Sequence, residues 1–271
     1  MPVFMFALSQ SQYIHQLNAI LVFLILHLFI YPASNGYNSY MDQDESSIGG
    51  LENPPKPTKE LFYTSLAFDV IGLLLSLIVN TTFFIAVLTY TLVSRAYSFK
   101  GIRLKKYPIL GFLTVVFFQG AFTYWMTQVG INSIPFKFTN TSFLALFGSS
   151  FLIAGVYPLT QVYQHEADMK SGDYTISYRL GIKGTFYFTA LMFFIANSCF
   201  YFYFDQQSML LHFLIFQLFL LPVVSYFMVW FIKVLKDPKA ANFKNTMLMN
   251  TIASLSMNFC FFTLTLFNHT L

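Results

Sequence analysis

The chain has 271 residues, of which 56% are hydrophobic, 20% aromatic and only 10% charged. Soluble domains carry about 25% charged residues, so this composition leaves too few polar side chains to coat a water-facing surface. A cytosolic domain, a disordered tail and a disulfide-built secreted module are excluded, and the net charge of +4 becomes informative only once the charges are placed along the chain.

A membrane-crossing helix needs about 20 mostly apolar residues. The opening run Pro2 to Leu8 is too brief to cross and reads as the end of a first helix that begins outside this sequence; no cleavable signal peptide is evident. Apolar runs long enough to span follow near 17–33, 62–79, 81–97, 108–128, 141–163, 185–204, 209–233 and 246–267. The expected architecture is an all-α, polytopic transmembrane bundle of eight full spans plus a partial N-terminal one, forming a single domain over 1–271. Cys199 and Cys260 fall inside these runs without metal or redox spacing and read as small buried hydrophobes.

The connections alternate in character. The ends that follow the 17–33 span carry Lys56, Lys59, Arg95, Lys100, Arg103, Lys105, Lys106, Lys170, Arg179, Lys183, Lys233, Lys236, Lys239 and Lys244, and the other face carries Lys137 alone. That asymmetry is the positive-inside pattern. It assigns the basic face to the cytoplasm and the chain to the cell inner membrane, and it makes most of the lysines topology determinants. Membrane lipid is the expected surrounding partner and nucleic acid is not expected. Nearly all the carboxylates lie on the same face; Asp69, about two turns inside the 62–79 span, and Asp205 are the departures. An ionisable residue inside a span is a functional candidate by default, so Asp69 either reaches a cavity or hydrogen-bonds a neighbouring helix.

Two acid-amide constellations lie on that face. Asn38 and Asp42, with Asp44 and Glu45 just beyond, follow the 17–33 span; Gln164, Glu166 and Asp168 follow the 141–163 span. Each contains an i,i+4 pair that helical geometry stacks on one side. Gly49, Gly50 and the Pro54–Pro57 segment are expected to end the first helix. Oxygen donors without cysteine suit a hard cation such as Mg²⁺, which takes one or two carboxylates plus phosphate oxygens. The basic loop from Lys100 through Arg103 to Lys105 suits a diphosphate. The combination points to a ligand with a diphosphate head and a hydrocarbon tail.

These residues resemble the UbiA superfamily of intramembrane prenyltransferases. The family's first motif, N-D-x-x-D-x-x-x-D, is matched at Asn38 and Asp42, with Ser39 and Ser46 in two of its acidic positions. Its second, D-x-x-x-D, is matched at Asp168, with Gln164 in the first acidic position. The string from Asp168 through Gly172, Thr175 and Arg179 to Gly181 is similar to the family's D-x-x-x-G-x-x-T-L-x-x-R-L-G, and Tyr97-Ser98…Arg103-Leu104-Lys105 is similar to its Y-S-x-P-P-x-K-L-K. The resemblance implies a Mg²⁺-dependent transfer of a prenyl group from a prenyl diphosphate to a hydrophobic acceptor, aromatic or quinone-precursor in character. It implies Asn38, Asp42 and Asp168 as catalytic residues, Asp44, Gln164 and Glu166 as further metal ligands beside them, and Lys100, Arg103, Lys105 and Lys170 as diphosphate-binding residues. Two other readings stay open: a non-catalytic prenyl-lipid binder, favoured by Ser39, Ser46 and Gln164, and a transporter built around Asp69.

Overall fold

The computed structural model describes residues 1–43 and 47–270. Every named element among them is helical, as the apolar runs require, because a backbone in lipid must satisfy its own hydrogen bonds. In chain order these are α1 (Pro2–Ser9), α2 (Gln16–Asp42), α3 (Lys59–Val79), α4 (Thr81–Ser98), α5 (Pro108–Ile131), α6 (Asn140–Leu159), the short α7 (His165–Ser171), α8 (Ile176–Gln206), α9 (Leu210–Lys236) and α10 (Phe243–Thr270). Seven of them, α2, α3, α5, α6, α8, α9 and α10, are long and apolar enough to cross a membrane. The 81–97 run is a helix of 18 residues, but Thr81, Thr82, Thr89, Thr91 and Arg95 dilute its apolar character, and it packs beside α2 and α3. The surface is inverted relative to a soluble protein: Ile78, Leu218 and Phe194 are among the most exposed side chains, as expected where lipid is the solvent.

α1 is a short plug. Phe6 is fully buried, and its ring lies 5.0 Å from Phe200, 5.1 Å from Tyr124 and 5.1 Å from Phe261, tying α8, α5 and α10 together. The aromatic abundance is therefore largely packing. Cys260 is buried in the same core and Cys199 is half-buried; both are free thiols.

Helix ends differ from hydropathy at the basic face. α2 continues nine residues past the apolar run to Asp42, where Gln43 in the left-handed conformation stops it. The expected terminators Gly49 and Gly50 instead make a separate tight turn, closed by reciprocal Ile48–Leu51 backbone bonds. α6 ends at Leu159 rather than 163, because Pro158 cannot continue the i→i−4 ladder; the chain leaves through tighter bonds from Thr160 to Tyr157 and from Gln161 to Pro158. α8 begins nine residues before its apolar run, capped by Thr175, and kinks at Gly181.

Two π-helical segments interrupt the spans, Ile25–Ile30 in α2 and Phe117–Phe122 in α5. In the second, the Ala121 N–H donates to Ser150 Oγ of α6 at 3.0 Å. Widened turns of this kind are frequent beside functional sites, and both lead into residues that line the cavities described below.

Candidate active site

Three elements meet at the basic end of the bundle: the last turns of α2, the 99–107 loop after α4, and the α7 turn with its connection to α8. Asn38 and Asp42 face the same side of α2, as their spacing requires, and both bind Lys105. The Lys105 ammonium donates to Asp42 Oδ2 and to Asn38 Oδ1 at 3.2 Å, and lies 3.8 Å from Asp173 Oδ2. Ser98 Oγ also donates to Asn38 Oδ1, at 2.6 Å. Arg103, itself in a left-handed backbone conformation, grips Asp173 through a two-bond fork, with Nε to Oδ1 at 2.8 Å and Nη2 to Oδ2 at 2.9 Å. Its Nη2 also stands 3.5 Å from Asp42 Oδ1. Two cations and two carboxylates thus cross-link α2, the basic loop and the α7–α8 connection in a charge-balanced cluster that is almost fully buried.

Asp173, like Gln161, is a site residue that motif reasoning missed. It fills an unspecified position of the family string, and its placement follows from Gly172. That residue ends α7 with φ 75°, a conformation glycine adopts without a side-chain clash. The Asp173 N–H then closes back onto the Asp168 carbonyl at 2.9 Å in a Schellman-type cap. The reversal aims Asp173 into the same cavity as Asp168.

Asp168 lines that cavity with one oxygen, Oδ2, lacking any hydrogen bond. Burial, reinforced by the neighbouring Asp173 carboxylate, pushes its carboxyl up to about 7; Lys105 opposes the shift, Asp42 adds to it, and a hydrogen bond from Thr175 opposes it. Gln164 also lines the cavity, donating to the Ser47 carbonyl at 3.2 Å. Its own carbonyl accepts the Asp168 N–H at 2.9 Å, so the i,i+4 pairing holds although Gln164 precedes α7. Glu166, Lys170 and Lys100 are exposed and absent from the cavity wall. Arg103 is also off the wall, behind Asp173. His165 turns to Ser177 Oγ at 2.9 Å, and burial lowers its pKa. Asp44 lies outside the described residues.

The charged mouth has a volume of about 570 Å³. It shares Asn35, Asn38, Tyr97 and Tyr157 with a narrower space of about 230 Å³. That space shares Ser34, Tyr90 and Gln119 with an inner chamber of about 450 Å³, walled by Leu152, Ile153, Val156, Ala253 and Met257. The Tyr97 and Tyr157 hydroxyls touch at 2.5 Å where mouth and passage join. The donors available to a hard cation are oxygens. Asp168, Asp42 and the deeply buried Gln161 all line the mouth, and each has a buried oxygen, Oδ2, Oδ1 and Oε1 respectively, without a hydrogen-bond partner. This donor set fits Mg²⁺ bound by one or two carboxylates together with substrate phosphate oxygens. Among the described residues, no three His, Cys, Asp or Glu side chains form a ready-made cage.

Asp69 has the structural role. Its Oδ2 accepts from Arg95 Nη2 and from Nε at 2.8 Å, Arg95 Nη1 reaches the Ala33 carbonyl at 3.3 Å, and the guanidinium lies 4.0 Å from the centre of the Tyr37 ring. Neither partner lines the mouth, passage or chamber.

The family model of the UbiA prenyltransferase family matches residues 1–252. The chain belongs to that family. Its fold is similar to that of a digeranylgeranylglyceryl phosphate synthase studied in membranes, with a TM-score of 0.62 at 19% identity over 97% of this chain and 91% of that one. It is similar also to a UbiA homologue from Archaeoglobus fulgidus bound to Cd²⁺, with a TM-score of 0.65 at 14% identity over 97% and 93% of the two chains. The same homologue bound to DMAPP and Mg²⁺ gives 0.60 at 15% identity over 97% and 95%. No curated protein sequence matches. As in the rest of the UbiA family, this chain is a multi-pass integral membrane protein; its departures from the family motifs are the acid positions held by Ser39, Ser46 and Gln164.

Proposed function

We propose that this UbiA family member transfers a prenyl group from a prenyl diphosphate to a lipid-soluble acceptor, aromatic or quinone-precursor in character, at the cytoplasmic side of the cell inner membrane. The carrying observation is a run of adjoining cavities, from a mouth lined by Asp42, Lys105, Asp168 and Asp173, past Tyr97 and Tyr157, to an inner chamber with one wall of Leu152, Ile153, Val156, Ala253 and Met257. A diphosphate matches the first part and a hydrocarbon the last. The Archaeoglobus homologue bound to DMAPP and Mg²⁺, and again to GPP and Mg²⁺, supports carrying that ligand class over to this chain. The one-sided basic residues support the orientation.

Mg²⁺, when bound, neutralises diphosphate charge and so eases departure of the leaving group; Asp168 and Gln161 are the residues that would hold it, while Asp42 engages Lys105. Lys105, on the cavity wall, donates to the diphosphate oxygens as the allylic C–O bond breaks and both electrons leave with oxygen. Arg103 holds Asp173 and thereby the mouth's shape. The Tyr97 and Tyr157 rings border the position of the developing allylic cation, which aromatic π-faces attract. The acceptor's electron pair then captures the allylic carbon. Asp42→Ala and Asp168→Ala are expected to abolish prenyl transfer in detergent-purified protein while membrane insertion stays normal. Wild-type turnover in either variant would remove the site assignment.

A further inference from the structure

The following rests on the prenyl diphosphate reading above. The two walls of the mouth are not equivalent. On the α2 wall, both oxygens of Asp42 already face cations, Oδ2 the Lys105 ammonium and Oδ1 Arg103 at 3.5 Å, and Asn38 Oδ1 also accepts from Lys105. On the opposite wall, Asp168 Oδ2 and Gln161 Oε1 have no hydrogen-bond partner, and Gln161 is only 7% exposed. We propose that the Lys105 ammonium is the resident cation of the Asn38–Asp42 half of the site, standing where a divalent ion would otherwise bind, and that the chain takes one divalent cation, on the Asp168–Gln161 side.

Charge matching supports this. Ser39 borders the mouth where the family's first motif has an acid, so among the described residues this half-site offers one carboxylate and a neutral amide. A single fixed ammonium, with three donors and no acceptor, balances that set. A doubly charged ion would leave an excess of positive charge beside Lys105 and Arg103.

The ammonium is also held in place. Lys105 belongs to the tight 3₁₀ turn Leu104–Lys106, and its side chain is 9% exposed. Asp173 stands on its far side, fixed by the Arg103 fork. Arg103 and Asp173 are therefore positioning residues, acting on the diphosphate through Lys105. One carboxylate plus diphosphate oxygens is enough for a single Mg²⁺.

The test is metal stoichiometry. Mn²⁺ is titrated into the detergent-purified full chain with saturating inorganic pyrophosphate, and bound ion is counted by electron paramagnetic resonance. The wild type is expected to bind a single Mn²⁺. Asp42→Asn should keep that ion, weakened by less than about tenfold, whereas Asp168→Asn should weaken it beyond the roughly 10–100-fold that loss of an outer-shell partner brings. Lys105→Met, which keeps the aliphatic stem, should admit a second Mn²⁺. If that variant does not fold, the Asp42–Asp168 comparison decides alone. Two ions on the wild type, or loss of the ion in Asp42→Asn, would overturn the resident-lysine proposal and leave the prenyl diphosphate reading intact. No Mn²⁺ on the wild type at all would overturn the metal-diphosphate reading and this proposal together.

Discussion

Removing Asp69 tests whether this intramembrane carboxylate is scaffold or pathway. In Asp69→Ala the Arg95 guanidinium keeps the Ala33 carbonyl and the Tyr37 ring but loses its carboxylate partner. The two side chains are 11% and 14% exposed, so little water can replace it. Breaking a buried pair by removing one partner costs about 3–5 kcal/mol. The surviving contacts to Arg95 place the expected loss near the lower end, ~3 kcal/mol. Asp69→Leu combined with Arg95→Met removes both charges and their desolvation, so it should recover most of that loss; buried pairs replaced by apolar groups are often neutral or more stable. Equilibrium unfolding in mixed detergent micelles, run on both single variants and the double, gives the coupling directly. The double variant should also keep prenyl transfer, since neither residue borders the mouth, passage or chamber. An Asp69→Ala protein as stable as wild type, or a double variant no better than the single, would refute the buried-pair reasoning. Proton- or ion-driven flux in liposomes that Asp69→Asn abolishes would instead restore the transport reading.

The Asp168 carboxyl is raised from 3.8 to about 7 in the folded chain, so the folded state keeps a proton that the unfolded chain releases. Its contribution to stability is greatest below the unfolded pKa and is lost as pH rises through about 7. Each tenfold difference in proton affinity between the two states is worth about 1.4 kcal/mol, and solvent screening at the mouth reduces that. In chelator-treated detergent solution, Asp168→Asn should therefore flatten the fall of the thermal midpoint between about pH 5 and 8 and raise the midpoint at the alkaline end; a wild-type slope in the variant would contradict this. A Cβ on Gly111 would lie 3.0 Å from Lys105 Cα and 3.2 Å from the Leu104 carbonyl oxygen, so Gly111→Ala must push the basic turn outward. The expected result is weaker pyrophosphate binding with little loss of thermal stability; unchanged binding would show that the turn can absorb the methyl group.

The spans were legible because lipid leaves no alternative to long apolar helices; Asn38 and Asp42 could be paired because helical spacing puts them on one face, while Lys105 was named through the basic loop's likeness to the family string. The same helical geometry shows why other candidates lie away from the cavity. Glu166 and Lys170 lie two residues either side of Asp168, about 200° around a helix, so sequence proximity placed them in a site that α7 turns away from. Asp173 depends on a backbone reversal at Gly172 and on an arginine some seventy positions earlier in the chain, neither of which periodicity reports. Gln161 looked like the end of an apolar run; only the early termination of α6 at Pro158 brings it to the cavity. The π segments left no signal in hydropathy at all, because they change hydrogen-bond register and not composition.

That silent register has a bearing on how such a chain can change over generations. Loss of a single codon within Ile25–Ile30 would let the wide turn relax into ordinary α-helix. The span would stay long, apolar and internally bonded, and membrane insertion would have no reason to fail. A widened turn absorbs one extra residue without turning the flanking helix, so Asn38 and Asp42 would keep their side of α2. The same deletion a turn later, in ordinary α-helix, would rotate them by about 100° and break their grip on Lys105. A lineage under selection for the chemistry can therefore shed a residue inside the wide turn but not between Tyr31 and Asn38. The spacing from Tyr31 to Asp42 in related chains, rather than the length of the wide turn, is thus the gauge of whether their basic face is still at work, even where every motif residue has been kept.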